Sequence, residues 1–472
     1  MPPLARPHQR HALTLPARTV EIIAEPDILV VGGGPAGLGA ALGAAGVGAE
    51  VVLAERYGFL GGNATAALVM PLMSSYTQRG QPMHVDLARL LPSDHGPGEP
   101  VVAGAFRHFL QRLIEAGGAI SPSEQTGFVV PFDPEVFKLV ALDLLDEAGV
   151  KFLLHAFATD VIGSHYLQGV VFETKSGPVV VKARAVVDCT GDGDIAARAG
   201  AAFEVGRDGD ELVQPMTLMF RMTEFERSAF VAYTKAHPDQ WRGVHGLWDL
   251  IAKATSAGEL DLPREDVLFF GTPREHELSV NSTRVTGVLG TDVWDLTYAE
   301  WQSRRQMRQI ASFLRRYVPG FEHAYVVQSG VNIGVRETRR IIGEYQLTAA
   351  DVLEARKFDD VIARGSYPID IHNPTGSGTI LERLPPGEAY DIPLRCLLPQ
   401  GVDQLVVAGR CISGTHEAHS SYRVMPIAMA TGQAAGVCAA LAARAGKRPR
   451  DLPAAQVQRE LRRQGADLRG LG

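Results

Sequence analysis

Gly32, Gly34 and Gly37 stand at G-x-G-x-x-G spacing, and the acid Glu55 follows at the separation expected for a group that meets a ribose. Each position has a mechanical task. The first glycine permits a tight turn, the second lets backbone amides approach a pyrophosphate, and the third lets a helix pack closely on a strand. Free amides at a helix N-terminus carry about half an elementary charge, so a diphosphate is held there without a basic side chain. A carboxylate at Glu55 accepts hydrogen bonds from a ribose diol and disfavours a 2′-phosphate. Further along stand arginines Arg336 and Arg339 in GVRETRRIIGEY, and histidines His372 in YPIDIH and His416 and His419 in THEAH. Guanidinium binds anions bidentately, and imidazole carries protons near neutral pH.

The elements that position the glycines read as one βαβ unit over 27–65. Residues 28–31 are a short apolar run, as in a strand buried on both faces of a parallel sheet. An Ala-rich helix follows over 35–45 and a second strand over 50–54, ending at Glu55. Glycine accounts for 50 of 472 residues, so the triplet alone is weak. Its weight comes from the agreement of strand, helix, second strand and acid; the competing reading is a tightly packed turn without a ligand.

A chain of 472 residues exceeds a single core, and 46% hydrophobic content is ample for two. The net charge of −7 opposes non-specific attraction to nucleic acid or an anionic membrane. Cys189, Cys396, Cys411 and Cys438 show no C-x-x-C spacing, which fits core thiols in a reducing compartment and a cytoplasmic location. Residues 1–24 lack the apolar region of a signal peptide and read as a flexible extension. The Ala/Gly-rich stretch 424–443 contains Pro426 and Gln433 and reads as an interior helix of a soluble protein, not a membrane span.

Residues 66–130, including HGPGEP at 95–100, read as insertion material. Asp133 as N-cap and Pro134 as first helical residue open an amphipathic helix closed by Gly149. A third parallel strand is expected over 151–154, a hairpin over 169–173 and 178–182, and a buried strand over 185–188 that runs into C-T-G-D-G-D. Asp194 there is a good N-cap. From about 203 to 389 aromatic and charged residues increase, with all four tryptophans, a long arginine-rich helix over 297–317 and a basic segment over 334–347. A strand over 404–409 and a helix from near Pro426 close the chain.

GGGPAG, ERYGFLGG, VVDCTGDGD, GVRETRRIIGEY, YPIDIH and VVAGRCISGTHEAHSSYRVMPIAMATGQAAG occur in one order. Over roughly 27–445 the chain resembles the bacterial FAD-dependent oxidoreductase family, flavoproteins of the glutathione-reductase/fumarate-reductase superfamily. The resemblance implies an α/β fold: a Rossmann-like FAD-binding domain of parallel sheet and β-hairpin layer, plus a second α+β substrate or cap domain. The FAD-binding domain would be discontinuous, 25–205 and 390–472, with 206–389 as the second domain. FAD would be held by Gly32, Gly34, Pro35, Ala36 and Gly37, then by Glu55 and Arg56. Gly61, Gly62 and Asn63 form the glycine-pair extension, and Ala158 falls beside the adenine. Thr190, Gly191 and Asp192 match an A-T-G segment, with Cys189 in the alanine position. Gly409, Arg410, Arg423 and Met425 lie toward the isoalloxazine. Many members have Asp where this chain has Arg410.

A flavin that accepts a hydride needs an anion clamp and a proton acceptor around the substrate. Arg336 and Arg339 would orient an anionic small-molecule substrate; the alternative is helix-surface pairing with Glu337 and Glu344. His416, His419 and His372 are acid–base candidates, against a structural role. H-E-x-H is not the H-E-x-x-H of a zinc site, and no metal is expected. Arg423 would offset charge on the reduced flavin or tie down its loop. Three readings stand: hydride transfer between a small organic substrate and flavin N5, an NAD(P)H-dependent flavin monooxygenase, and a non-catalytic FAD-binding protein. The expected partner is the substrate, with neither nucleic acid nor membrane; a homo-oligomer and several electron acceptors remain compatible.

Overall fold

Runs of Val, Ile, Leu and Ala in which every residue is buried build the central sheet, as in Ile28–Val31 and Val51–Ala54. The structure, a computed structural model, describes residues 6, 12–78, 90–91, 98–123, 126–376 and 378–469. Five parallel strands lie in the order Leu405–Val407, Ala185–Asp188, Ile28–Val31, Val51–Ala54, Lys151–Leu153. Val31 faces Ala54 on one side and Asp188 on the other, while Val407 faces Asp188 and Leu153 faces Ala54. The C-terminal ends of all five strands are therefore level. In open α/β sheets that edge is where ligands bind.

Two helices of small residues cover this sheet, Pro35–Gly46 and Met425–Ala445. A Cβ on Gly432 would stand 2.0 Å from the Ala36 carbonyl oxygen, and one on Gly436 2.0 Å from that of Ala40. From the other side, Gly39 and Gly43 would collide with the carbonyls of Met429 and Gln433. The helices thus touch backbone to backbone. Met425–Ala445 is long and apolar enough to cross a membrane, but 89% of its apolar window is buried inside the protein.

The hairpin Gly169–Thr174 and Gly177–Lys182 forms the centre of a second layer with Phe157–Ile162 and Glu21–Ala24. Glu21–Ala24 pairs parallel with Gly177–Lys182, which corrects the flexible reading of the extension at its C-terminal end: the chain here supplies backbone partners to an open sheet edge. Most of 1–11 and residues 95–97 of HGPGEP lie outside the described residues.

The insertion also carries more structure than its Pro, Gly and Ser content suggested. Ala105–Glu115 is an amphipathic helix whose Phe109 ring meets Phe137 at 4.5 Å. Phe137 lies on Pro134–Glu147, capped as expected by Asp133, whose side chain accepts from the Glu135 amide.

A six-stranded antiparallel sheet contains Phe220–Thr223, Val267–Gly271, Leu278–Val280 and Tyr325–Ser329. Its own core gathers Phe220, Phe225, Phe230, Trp241, Phe269 and Phe321, with Ile310, Phe313 and Leu314 of the helix Val293–Tyr317. Ile341, Val361, Tyr367 and Ile371 instead join the core of the parallel sheet. Val361–Gly365 pairs with Tyr390–Pro393, so the chain returns to the first core well before 390. The composition shift that suggested a boundary there tracks exposed charge, not which core a strand joins.

Candidate functional site

The level strand ends open into a cleft that is partly open to solvent. Gly32, Gly34, Pro35 and Ala36 line it where the first strand becomes a helix. Gly34 is the N-cap, and no side chain caps the first turn, so its amides are left for a ligand. Gly62 faces them: a Cβ there would stand 2.8 Å from Gly34 Cα. Two backbone turns thus form a narrow cradle, with Asn63 beside it donating from Nδ2 to Val335 O at 3.2 Å.

Glu55, 5% exposed, also lines the cleft. Its Oε2 accepts from the Gly33 amide at 2.6 Å and its Oε1 from the Tyr57 amide at 3.0 Å. Burial pushes the carboxyl above its ordinary range, and these amide bonds oppose the shift. Arg56 and Ala158 stand on the same wall. Gly37 and Gly61, expected among the cofactor contacts, do not line the cleft. A Cβ on Gly37 would lie 1.8 Å from Gly32 O, so this glycine lets the helix close on the turn. Gly61 adopts a φ of 112° and donates to Gly33 O at 2.8 Å. Both shape the cradle from behind.

Thr190, Gly191 and Asp192 form a second turn on the cleft, locked by Asp188 at the end of its strand. Asp188 Oδ1 accepts from the Thr190 amide and hydroxyl, and Oδ2 accepts from the Ile195 and Ala196 amides at 2.9 Å. The capping acid of the helix Asp194–Arg198 is therefore Asp188, not Asp194, which is already helical. Gly409 and Arg410 complete this side. Arg410 Nη2 lies 2.8 Å from Asp192 Oδ1, and the Thr338 hydroxyl donates to the same oxygen at 2.7 Å. The acid absent at 410 is matched by Asp192 on the facing turn. Cys189 reaches the wall too, and burial pushes its thiol well up.

Arg423 and Met425 bound the far end, before the helix Met425–Ala445. Arg423 Nη2 donates to Asp370 O at 3.2 Å and lies 3.8 Å from Asp370 Oδ2. Gln214 Oε1 accepts from the His372 amide at 3.3 Å and lies 3.5 Å from Arg423 Nη2. Arg423 thereby joins the cleft to a cluster of His372, Arg336 and Arg284. The His372 side chain keeps 20% exposure, with Nδ1 3.4 Å from the Thr379 hydroxyl and Nε2 3.7 Å from Asp370 Oδ2. Burial, then Arg336 and Arg423, hold it well below the usual histidine range, so the ring is neutral at pH 7.

The other candidates part company. Arg336 joins the His372 cluster, its Nη1 donating to Pro215 O and Thr217 Oγ1. Arg339 does not: it pairs with Asp194 at 2.9 Å, donates to Asp192 O and covers the Phe203 ring, bracing the second turn. The surface pairing with Glu337 and Glu344 does not form, because 334–347 contains the strand Arg339–Ile341 and no helix. Glu337 is fully buried and accepts from Arg340, His416 Nδ1 and the Gln214 amide. His416 is thus an internal hydrogen-bond partner, 4% exposed. His419 is completely buried without a polar partner on either ring nitrogen. Neither lines the cleft, because the short helix His416–Tyr422 turns both inward. Asn332 and Val335 on the cleft wall, and Gln214 and Arg284 near His372, escaped the sequence reading. Val335 lies within GVRETRRIIGEY, while the other three lie outside every quoted motif.

The sequence profile of the FAD dependent oxidoreductase family matches residues 27–461. No curated protein matches the chain. Solved structures similar to it include a geranylgeranyl bacteriochlorophyll reductase-like protein from Thermoplasma acidophilum, 11% identical with a TM-score of 0.43 over 94% of this chain and 82% of its own. Others are a flavin-dependent brominase, 12% identical with a TM-score of 0.43 over 93% and 83%, and the OxyS anhydrotetracycline hydroxylase from Streptomyces rimosus, 12% identical with a TM-score of 0.43 over 93% and 66%.

Proposed function

Since the chain belongs to the FAD dependent oxidoreductase family, we propose that it moves a hydride between a small organic substrate and FAD held in the glycine-lined cleft. The observation that carries this reading is the junction at Arg423, which touches both the cofactor cleft and the cluster around His372. The cleft fits a dinucleotide because its helix start is uncapped by any side chain and the facing turn approaches so closely that a Cβ on Gly62 would stand 2.8 Å from Gly34 Cα. When bound, FAD supplies a two-electron carrier at flavin N5.

The chain's own groups supply the rest. Gly34 and Gly62 admit the diphosphate, and Glu55, with lone pairs beyond its two amide bonds, receives the ribose. His372, neutral and partly exposed, takes the substrate proton at Nε2, where Asp370 Oδ2 stands 3.7 Å away to stabilise the charge. Arg423 places a positive charge at the junction, favouring negative charge that develops there.

The test begins with the visible spectrum of the purified protein after FAD addition and removal of excess, before and after acid precipitation. Candidate hydroxy, amino and unsaturated substrates are then mixed anaerobically. Bleaching of the flavin band by one donor class without NADPH is the expected result. Oxygen uptake that requires NADPH would replace the reading with monooxygenation, and a flavin that no donor reduces would leave a binding protein.

A further inference from the structure

Burying a guanidinium without a counter-charge costs several kcal/mol after relaxation, yet four stand close enough to His372 to act on its charge: Arg264, Arg284, Arg336 and Arg423. Only two are answered by carboxylates. Arg264 pairs with Asp266 at 3.0 Å, and Arg423 lies 3.8 Å from Asp370. Among the described residues, Arg284 and Arg336 have no carboxylate within ion-pairing distance. Arg284, 6% exposed, spends Nη2 on the Asn373 and Gly378 carbonyls and leaves its buried Nε unpartnered. Arg423 Nε and Gln214 Nε2 are buried donors without acceptors as well. Three segments distant in sequence thus present unmet donors around one water-reachable imidazole.

We propose that Arg284, Arg336, Arg423 and Gln214 form a subsite for a carboxylate of the substrate, which makes the substrate a small organic acid. This rests on the reading that His372 and Arg423 border the reacting position. A planar carboxylate suits planar forks, because one guanidinium meets both oxygens in parallel bonds. It also supplies the missing counter-charge: burial, then Arg423, pushes Arg336 below its ordinary range, as expected for a cation among cations. Of the acids that act on these arginines, Asp370 and Asp266 are already engaged by Tyr367 and Arg423, and by Arg264 and His245, and with Glu265 they offset the cluster's charge in part.

The experiment is calorimetric titration of the FAD-loaded protein with acetate, lactate and succinate, each beside its amide, and with sulfate and phosphate, while the flavin spectrum is followed. At least one carboxylate should bind tenfold or more tightly than its amide and than either inorganic anion. R336Q and R284Q should each weaken that carboxylate at least tenfold while FAD affinity stays within twofold, since neither residue lines the cofactor cleft. Equal binding of acid and amide, tighter binding of sulfate or phosphate, no binding by any carboxylate, or unchanged affinity in folded R336Q and R284Q would overturn the subsite. If circular dichroism shows R336Q unfolded, R284Q carries the comparison, and acid against amide on the unaltered protein stands alone. A protein that binds no FAD overturns the function above, and the titration then runs on the unloaded chain.

Discussion

In the proposed reaction two side chains act separately, one on each side of the Arg423 junction. Glu55 answers two amides and faces the cofactor, so Glu55→Gln keeps the shape but turns an accepting oxygen into a donor aimed at an N–H. Losing a hydrogen bond to a charged group costs about 1.5–3 kcal/mol, roughly a tenfold to hundredfold loss. Fluorescence titration of the unloaded variant should show FAD affinity falling by that factor, and an unchanged affinity would remove Glu55 from the site. His372 lies beyond the junction. His372→Gln should slow anaerobic flavin reduction by about 10²–10⁴-fold, the usual weight of a general base, while FAD affinity stays within twofold. Stopped-flow reduction within threefold of the unaltered rate would assign the proton to another group.

The elements that hold these groups depend on unusually close backbone contact. Pro35–Gly46 sets the phosphate cradle, and its seat on Met425–Ala445 fixes where Arg423 and Met425 enter the cleft. In Gly436→Ala two effects compete. Helix propensity improves by about 1 kcal/mol, but the new Cβ would lie 2.0 Å from the Ala40 carbonyl oxygen, and overpacking typically costs ~1–3 kcal/mol. Backbone has no rotamer with which to yield, so the clash wins. The variant should unfold at lower urea concentration and retain FAD less well; a midpoint equal to or above the unaltered protein's would show that the helices can separate freely. Asp188 exerts a similar control over the second turn, one carboxylate meeting four donors at the end of a strand.

At the scale of the whole molecule, buried histidines impose a pH limit. Burial, then Arg340 and Arg423, holds His419 well below the ordinary histidine value of about 6.5. Below about pH 6.5 the unfolded chain takes up a proton that the folded chain excludes, so it binds more protons and stability falls as pH falls. The slope approaches about 1.4 kcal/mol per pH unit for each such histidine until its folded pKa is reached. Urea midpoints measured from pH 7.5 to 5.0 should decline, and His419→Leu should flatten that decline. An equal slope in the variant would show that His419 titrates normally in the folded state.

The sequence alone determined whatever depends on neighbours along the chain. The βαβ unit, the Asp133 cap and the strand that leads into C-T-G-D-G-D are written in periodicity, turn residues and glycine spacing, and those local constraints place one edge of a parallel sheet under a dinucleotide. Family membership was legible for the same reason, since its motifs are short and ordered. Tertiary structure decided the rest. Arg336 and Arg339 sit three positions apart, yet one joins the cluster around His372 and the other braces the Asp192 turn, because an irregular segment gave no helical face to predict from. His416 and His419 stood in the longer motif, but their helix faces inward, while His372 keeps partial exposure on Ile369–His372, paired with Thr379–Glu382. Gln214 and Arg284 had no local signature at all. Their part in the cluster arises from long-range packing, where charge and burial become properties of a place and not of a stretch of chain.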